Sequence, residues 1–297
     1  MMTQREPVTV FGGTGYLGSQ IVKALIKGGH RVRIASRHAG HEPMPAGTEA
    51  VTCDIRDTGQ VRQAVDGARA VVNAVSLYHE QGDASFYQIH VKAAERIAHE
   101  AAQADVSRLV LISGIGASEH SSSAYVRARG AGERVTRQQF PDATVLRPSV
   151  LFDQTGGLVA NLERVTRAPV VPLFGRGHTR LQPAHVGDVA QAVVRVLGRE
   201  RTQGRIFELG GGIHRFRDCV RMDLAHRGRR RLLIPVPFMA WHALALVLGR
   251  LPEPQLTRDQ VILMASDNVV GEGCPSFDDL GIEPRGLGHV LSEPSEG

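Results

Sequence analysis

The sequence is poor in cysteine and in aromatic residues. Its three cysteines, Cys53, Cys219 and Cys274, are odd in number, far apart and without a CxxC pair. That removes a disulfide scaffold and argues against a zinc site, so no metal is expected. No uninterrupted apolar run reaches the ~18 residues of a spanning helix. Met1 to Pro7 carry no apolar core of signal-peptide length. These absences lead to the expectation of a reduced, cytoplasmic protein. Internal repeats and low-complexity linkers are also lacking. What is present is ordinary for a globular chain, 42% hydrophobic and 22% charged. At 297 residues, it is long enough to bury a large core without staples.

The formal charge of +5 is concentrated in one place. Seven arginines (215, 217, 221, 227, 229, 230 and 231) face only Asp218 and Asp223, and the rest of the chain is neutral. A nucleic-acid binder pairs such a patch with stacking aromatics or a known module. Here only Phe216 is nearby, so no nucleic-acid partner is expected.

The first 150 residues alternate strand and helix patterns. Val8–Phe11, Arg31–Ala35, Val51–Cys53, Ala70–Ala74, Leu109–Ile112 and Thr144–Leu146 read as strands. Gly15–Ile26, Val61–Val65 (after Asp57 as cap), Phe86–Gln103 and Ser121–Gln139 read as helices. Later, Asp188 precedes a periodic helix over Val189–Leu197, with His185 beside it in the same capping role, and Ile206–Leu209 reads as a strand. Strands alternating with helices predict an α/β fold, a doubly wound parallel sheet with a small C-terminal cap. The expected organisation is a dinucleotide-binding core over 7–150, an interlocked substrate and cap region over 151–290, and a mobile tail over 291–297.

The strongest local signal is Gly12-Gly13-Thr14-Gly15-Tyr16-Leu17-Gly18, after a strand and at the start of a helix. Gly12 permits the sharp turn, Gly15 the close approach of a pyrophosphate, and Gly18 tight packing of the helix on the sheet. The helix N-terminus then favours phosphate charge. An acid ~20 residues past the glycines would accept the free ribose 2′-hydroxyl of NAD. This sequence has Ser36-Arg37-His38 there instead. A guanidinium fork at Arg37 and a donor at Ser36 suit a 2′-phosphate, so NADP(H) is expected in preference to NAD(H).

The GxxGxxG spacing resembles the short-chain dehydrogenase/reductase superfamily in its extended and atypical branches. That resemblance implies a Rossmann fold, an adenine position near Asp54 and Ile55, a ribose position near Asn73-Ala74-Val75, and a further cofactor contact at Pro148. It also implies a catalytic set of Ser113 at a strand end, Tyr125, and the residue four places later. Reductases of this kind have a Lys there, whose cation lowers the Tyr pKa from ~10; this chain has Arg129. Arg129 can hold a tyrosinate or a ribose hydroxyl, but it cannot give up a proton.

A narrower likeness rests on Tyr125–Glu133, Thr144–Ser149, Pro172–Gly175, Gln182–Asp188, Phe207–Gly210 and the Leu251–Asn268 stretch. These blocks in succession resemble the NAD(P)H-binding accessory subunit of respiratory complex I and its bacterial relatives. The implied function is an NADP(H)-binding protein, with two readings. One is an oxidoreductase acting on a hydrophobic carbonyl or an isoprenoid- or quinone-related compound. The other is a non-catalytic, cofactor-stabilised accessory or assembly protein of a membrane respiratory complex. A nucleotide-sugar epimerase or dehydratase is a third, weaker alternative.

One segment stands apart from the family pattern. Arg227, Arg229, Arg230 and Arg231 precede an apolar stretch running to Leu248, broken by Pro235 and Pro237. The unbroken part is too short to cross a bilayer. Two readings stay open: a peripheral contact of 227–251 with a membrane's inner face or a membrane complex, or a buried cap helix under a solvated arginine loop. In either case its apolar residues could also wall a substrate pocket.

Overall fold

The computed structural model describes residues 6–39, 44–248 and 256–292. The first half runs β1 (Val8–Phe11), α1 (Tyr16–Lys27), β2 (Val32–Ser36), β3 (Thr48–Thr52), α2 (Thr58–Val65) and β4 (Ala70–Asn73). A π-helical turn (Tyr87–Lys92) then continues directly into α3 (Ala93–Gln103), followed by β5 (Arg108–Ile112), α4 (Ala124–Gln139) and β6 (Thr144–Pro148). Every residue of β1 and β4 is buried. Their continuous apolar runs are what strands covered on both faces require.

The second half adds β7 (Leu151–Phe152), α5 (Leu158–Thr166), β8 (Val170–Phe174), β9 (Arg180–Leu181) and β10 (Ala184–His185). It continues with α6 (Val186–Leu197), β11 (Ile206–Leu209), β12 (His214–Arg215), α7 (Phe216–His226), β13 (Leu232–Val236), α8 (Phe238–Leu248), α9 (Arg258–Ala265) and α10 (Leu287–Ser292). The central sheet has seven parallel strands in the order β3-β2-β1-β4-β5-β6-β11. Chain direction across the sheet reverses between β1 and β4, the point where a doubly wound sheet opens a crevice at its carboxyl edge.

Two apolar layers cover the sheet. On one face Leu17, Ile21 and Leu25 of α1 meet Val189, Val193 and Val196 of α6. On the other, Val61 and Val65 of α2 meet Ile97 and Ala101 of α3. Each such fully buried side chain is worth roughly 1.5–3 kcal/mol of transfer free energy. The later half of the chain thus supplies both a helix (α6) and the outer strand (β11) of the sheet. A separate cluster, with Phe152, Leu162, Phe216, Val220 and Leu291, forms the core of the cap.

Several boundaries differ from the sequence expectation, each for an identifiable reason. The helix expected over Phe86–Gln103 begins as a π turn, where α4 comes so close that a Cβ on Gly132 would overlap the carbonyl oxygen of His90. The helix expected from Ser121 starts at Ala124, with Ser123 accepting from the Val126 N–H as its cap. His185, not Asp188, caps α6, accepting from the Gly187 N–H. Asp188 lies inside the first turn, where its carboxylate binds Arg285 at 2.7 Å. In the expected tail, Leu291 is buried in the cap core and Ser292 ends α10, while 293–297 lie outside the described residues.

The reading of 232–248 as a buried cap helix is overturned. Only Ala245 of α8 is buried, because the helix is held by one side alone. Trp241 donates its Nε1–H to the Leu173 carbonyl at 3.2 Å and stacks on Phe174 with centroids 4.4 Å apart.

The outer strands of the sheet are locked to α4 by a buried charge cluster. Arg147 on β6 donates to Glu133 of α4 at 2.9 and 2.7 Å and to Glu208 of β11 at 3.2 Å. Both carboxylate side chains are nearly inaccessible. Removing one partner from such a cluster strands buried charge. Arg147→Ala is therefore expected to destabilise the fold by about 3–5 kcal/mol in denaturant unfolding.

Candidate functional site

The turn after β1 is built to leave backbone bare. Gly12 has φ +76° and lies against Ala74 and Val75, where a Cβ would come within 3.1 Å of their backbone atoms. A Cβ on Gly18 would overlap the Gly12 carbonyl oxygen, so only glycine lets α1 approach the turn this closely. The N-terminus of α1 is Gly15, with no side-chain cap and no acid in the first turn. Its leading N–H groups therefore have no intrahelical acceptor and are available to an anion. Thr14, Gly15 and Tyr16 are exposed, and Leu17 is buried beneath them.

The Tyr16 side chain turns away from this turn and bonds Asp153, against Gly156 and Gly157. Burial, then the Asp153 charge and that bond, push its phenol well above the ordinary range.

At the expected adenosine end, β2 finishes at Ser36, whose buried Oγ has no hydrogen-bond partner. Arg37 follows and is exposed. The Asp54 carboxylate is committed to Arg56, with contacts of 2.6–3.1 Å, and that guanidinium holds it below the usual carboxylate range. Ile55 is nearly buried beside it. Asn73 is buried at the end of β4, and its Oδ1 accepts from the Val75 N–H at 3.2 Å. Pro148 ends β6, and its carbonyl accepts from the Ile115 N–H at 3.1 Å.

The structure brings the expected catalytic group to the carboxyl edge of the same sheet. Arg129 is only 7% exposed, yet among the described residues it donates to neutral oxygens alone. Its Nε donates to the Tyr125 Oη at 3.2 Å, and its two terminal nitrogens donate to the Ile112 carbonyl at 2.8 Å and the Ser76 Oγ at 2.6 Å. Ser113 and Arg129 line one small cavity of about 10 Å³, room for about one water. The Ser113 Oγ is buried and has no partner. An orphaned hydroxyl of this kind calls for an explanation, and a ligand supplies one. The bare turn and the orphaned Ser36 and Ser113 hydroxyls fit a dinucleotide. Thr14 to Gly18 would hold its diphosphate, and Ser113, Tyr125 and Arg129 its reactive end.

Five further residues shape this edge. Tyr125 stacks on Tyr78 at 6.2 Å and meets Phe86 and His90 edge-on at 5.5 and 5.6 Å. The His90 Nε2 lies 3.0 Å from the Leu77 carbonyl, to which it donates. Asp259 of α9 accepts from the Ser123 Oγ and, at 3.4 Å, from the Tyr125 N–H, so a carboxylate from the C-terminal third sits on the N-terminus of the Tyr125 helix. Asp259 is 134 residues from Tyr125, and no local pattern announced it. Ser76 had a fair signal, two residues past Asn73-Ala74 on the sheet edge.

A profile of the NAD(P)H-binding family matches residues 12–200. The chain belongs to this NAD(P)H-binding family. Among its relatives is the mitochondrial NADH-ubiquinone oxidoreductase 40 kDa subunit of Neurospora crassa, 30% identical over 94% of this chain and 76% of that protein. Another, at 30% identity, is the ceramide reductase of Caulobacter vibrioides, matched over 64% of this chain and 60% of that one. An Escherichia coli NADPH-dependent quinone oxidoreductase, solved with NADPH, superposes with a TM-score of 0.77 over 96% of this chain and 98% of that one, at 16% identity. That likeness concerns the fold. No helix among the described residues is long and apolar enough to cross a membrane.

Burial first, and then the Arg129 charge, press the His90 pKa down from 6.5 to about 3. Folded His90 is thus neutral where the unfolded chain binds a proton. Its contribution is complete above pH 6.5 and is lost as pH falls toward 3, by at most about 1.4 kcal/mol per unit for one proton. His90→Gln is expected to flatten the acid limb of the stability–pH curve in that window, measured by thermal melts.

Proposed function

We propose that this member of the NAD(P)H-binding family holds NADP(H) in preference to NAD(H) and reduces the carbonyl of a hydrophobic compound, with isoprenoid- or quinone-related molecules as the substrate class. The observation that carries this reading is the buried Ser113 hydroxyl without a partner. It shares a cavity with an Arg129 that donates to the Tyr125 oxygen. The nicotinamide, when bound, supplies the hydride.

The chain's own residues supply the rest. The Ser113 Oγ–H orients the carbonyl oxygen, and the Tyr125 Oη–H donates the proton that completes the alcohol. The Arg129 Nε–H already rests on Tyr125 Oη and stabilises the tyrosinate left behind. Because Arg129 cannot release a proton, Tyr125 recovers its own from water. The aromatic surroundings of Tyr125 (Tyr78 and Phe86) favour an apolar substrate over a sugar.

A second reading rests on the same guanidinium. Arg129 spends its donors on Ile112, Ser76 and Tyr125, the pattern of a fixed anchor for a retained cofactor. The chain would then be an accessory protein without turnover, as its respiratory-subunit relatives suggest.

Two measurements test these readings. NADPH oxidation with decanal or a short-chain ubiquinone as acceptor is expected from the unaltered protein, to rise in Arg129→Lys and to vanish in Tyr125→Phe while NADPH is still retained. No oxidation with either acceptor, with cofactor retained, rejects turnover and leaves the accessory role. In calorimetric titration, Arg37→Glu is expected to weaken NADPH by about 10- to 100-fold, the worth of a charge-assisted phosphate contact, and to leave NADH little changed. Equal losses for both dinucleotides would refute the NADP(H) preference.

A further inference from the structure

The cap carries a surface that the site does not use. A helix apolar on all sides is normally buried or lodged in lipid. α8 contains no charged residue, yet Met239 is 84% exposed, Val247 64% and Leu244 43%. Beside it, β13 pairs in parallel with β8, and Leu232 and Ile234 of β13 and Val170 of β8 stand exposed as well. A contiguous exposed apolar surface of this kind marks an interaction site.

Charge identifies what it meets. The cap segments 158–185 and 213–248 together hold eleven arginines and three acids, Glu163, Asp218 and Asp223, and Glu163 pairs with Arg167 and Arg227. Asp223 is fully buried and taken by Arg227 and Thr166. Arg229, Arg230 and Arg231 lead directly into β13. Arg231 is tied by its Nε to the Thr166 carbonyl, whereas Arg230 is exposed. In the cross-strand pair of β12 and β9, Arg215 faces Arg180, whose own charge is offset by Asp267 at 2.7 Å. A hydrophobic partner protein or a second copy of the chain would have to meet this excess of like charge; an anionic lipid surface is attracted by it.

From these features we infer that the β13–α8 face docks on an anionic bilayer surface. α8 is about 16 Å long, which allows it to lie in the interface but not to cross it. Trp241 and Phe174 hold the helix to the cap from its inner side, leaving Met239, Leu244 and Val247 for the acyl boundary. Binding then combines apolar insertion with electrostatic attraction, each basic residue near the surface adding to it.

Flotation of the full-length protein with vesicles of phosphatidylcholine containing phosphatidylglycerol, compared with pure phosphatidylcholine, tests the assignment. Binding is expected only to the anionic vesicles and to fall with added salt. Replacing Arg229, Arg230 and Arg231 together by Gln is expected to weaken it by about fivefold per charge removed. Met239→Ser with Val247→Ser alters only exposed positions and is expected to abolish binding while NADPH retention, the check on folding, is unchanged. Binding to neither vesicle, or equally to both, overturns the proposal. So does a concentration-dependent dimer in sedimentation that Met239→Ser dissolves, which would make the face a contact between copies.

Discussion

The site is organised around a nearly buried guanidinium that makes no ion pair among the described residues. Burying a cation costs several kcal/mol unless dipoles or an opposite charge replace its hydration. Arg129 is met by three neutral oxygens from three parts of the chain: the Ile112 carbonyl at the end of β5, the Ser76 hydroxyl after β4, and Tyr125 one turn back on α4. A lysine ammonium would have three donors on one atom and could not span the same separated acceptors with a planar fork. The substitution therefore gains a stitch across the sheet edge and gives up a group able to relay protons. The positive field that remains acts on its neighbours. It adds to burial in keeping His90 neutral.

That edge matters because of where the parallel sheet places it. β1 and β4 lie side by side at the reversal of the strand order, so the turn at Gly12 and the loop at Ala74 are neighbours. Gly12 and Gly18 keep backbone against backbone there, and the uncapped start of α1 supplies N–H groups at one side of the crevice. Arg129 and the orphaned Ser113 hydroxyl stand on the other side. A dinucleotide spanning the crevice would meet unsatisfied donors at its diphosphate and a lone cation near its far end. Two hydroxyls without protein partners, Ser36 and Ser113, stand where such an occupant could satisfy them.

Much of this was legible in the sequence, and for identifiable reasons. β1, β4 and β5 are mostly apolar runs, α1 repeats Leu17, Ile21 and Leu25 at helical spacing, and Asp57 announces α2 as its cap. These signals are local, and so is the glycine turn. The π turn at Tyr87–Lys92 was not legible, because it answers to the close approach of Gly132 from another helix. His185 displaced Asp188 as the cap of α6 because Asp188 has a distant partner in Arg285. The exposure of α8 was hidden for the same reason: an apolar sequence does not say whether it is covered. Its outer face is open because Trp241, Phe238 and Ala245 are enough to fasten it from within.

Asp259 shows how the cap and the site are connected. A carboxylate at a helix N-terminus meets both the dipole and the free N–H groups, so it stabilises α4 where Tyr125 begins its first turn. Asp259 sits on α9, which is fixed by a capping box of Thr257 and Gln260, by buried Val261, and by the Met264 carbonyl accepting from Thr179. α9 packs in turn against α8. The helix bearing the exposed apolar face is thus one packing contact and one carboxylate away from the helix bearing Tyr125. In a sheet this rigid, the parts able to yield are the short cap elements, which rest on a few side chains each.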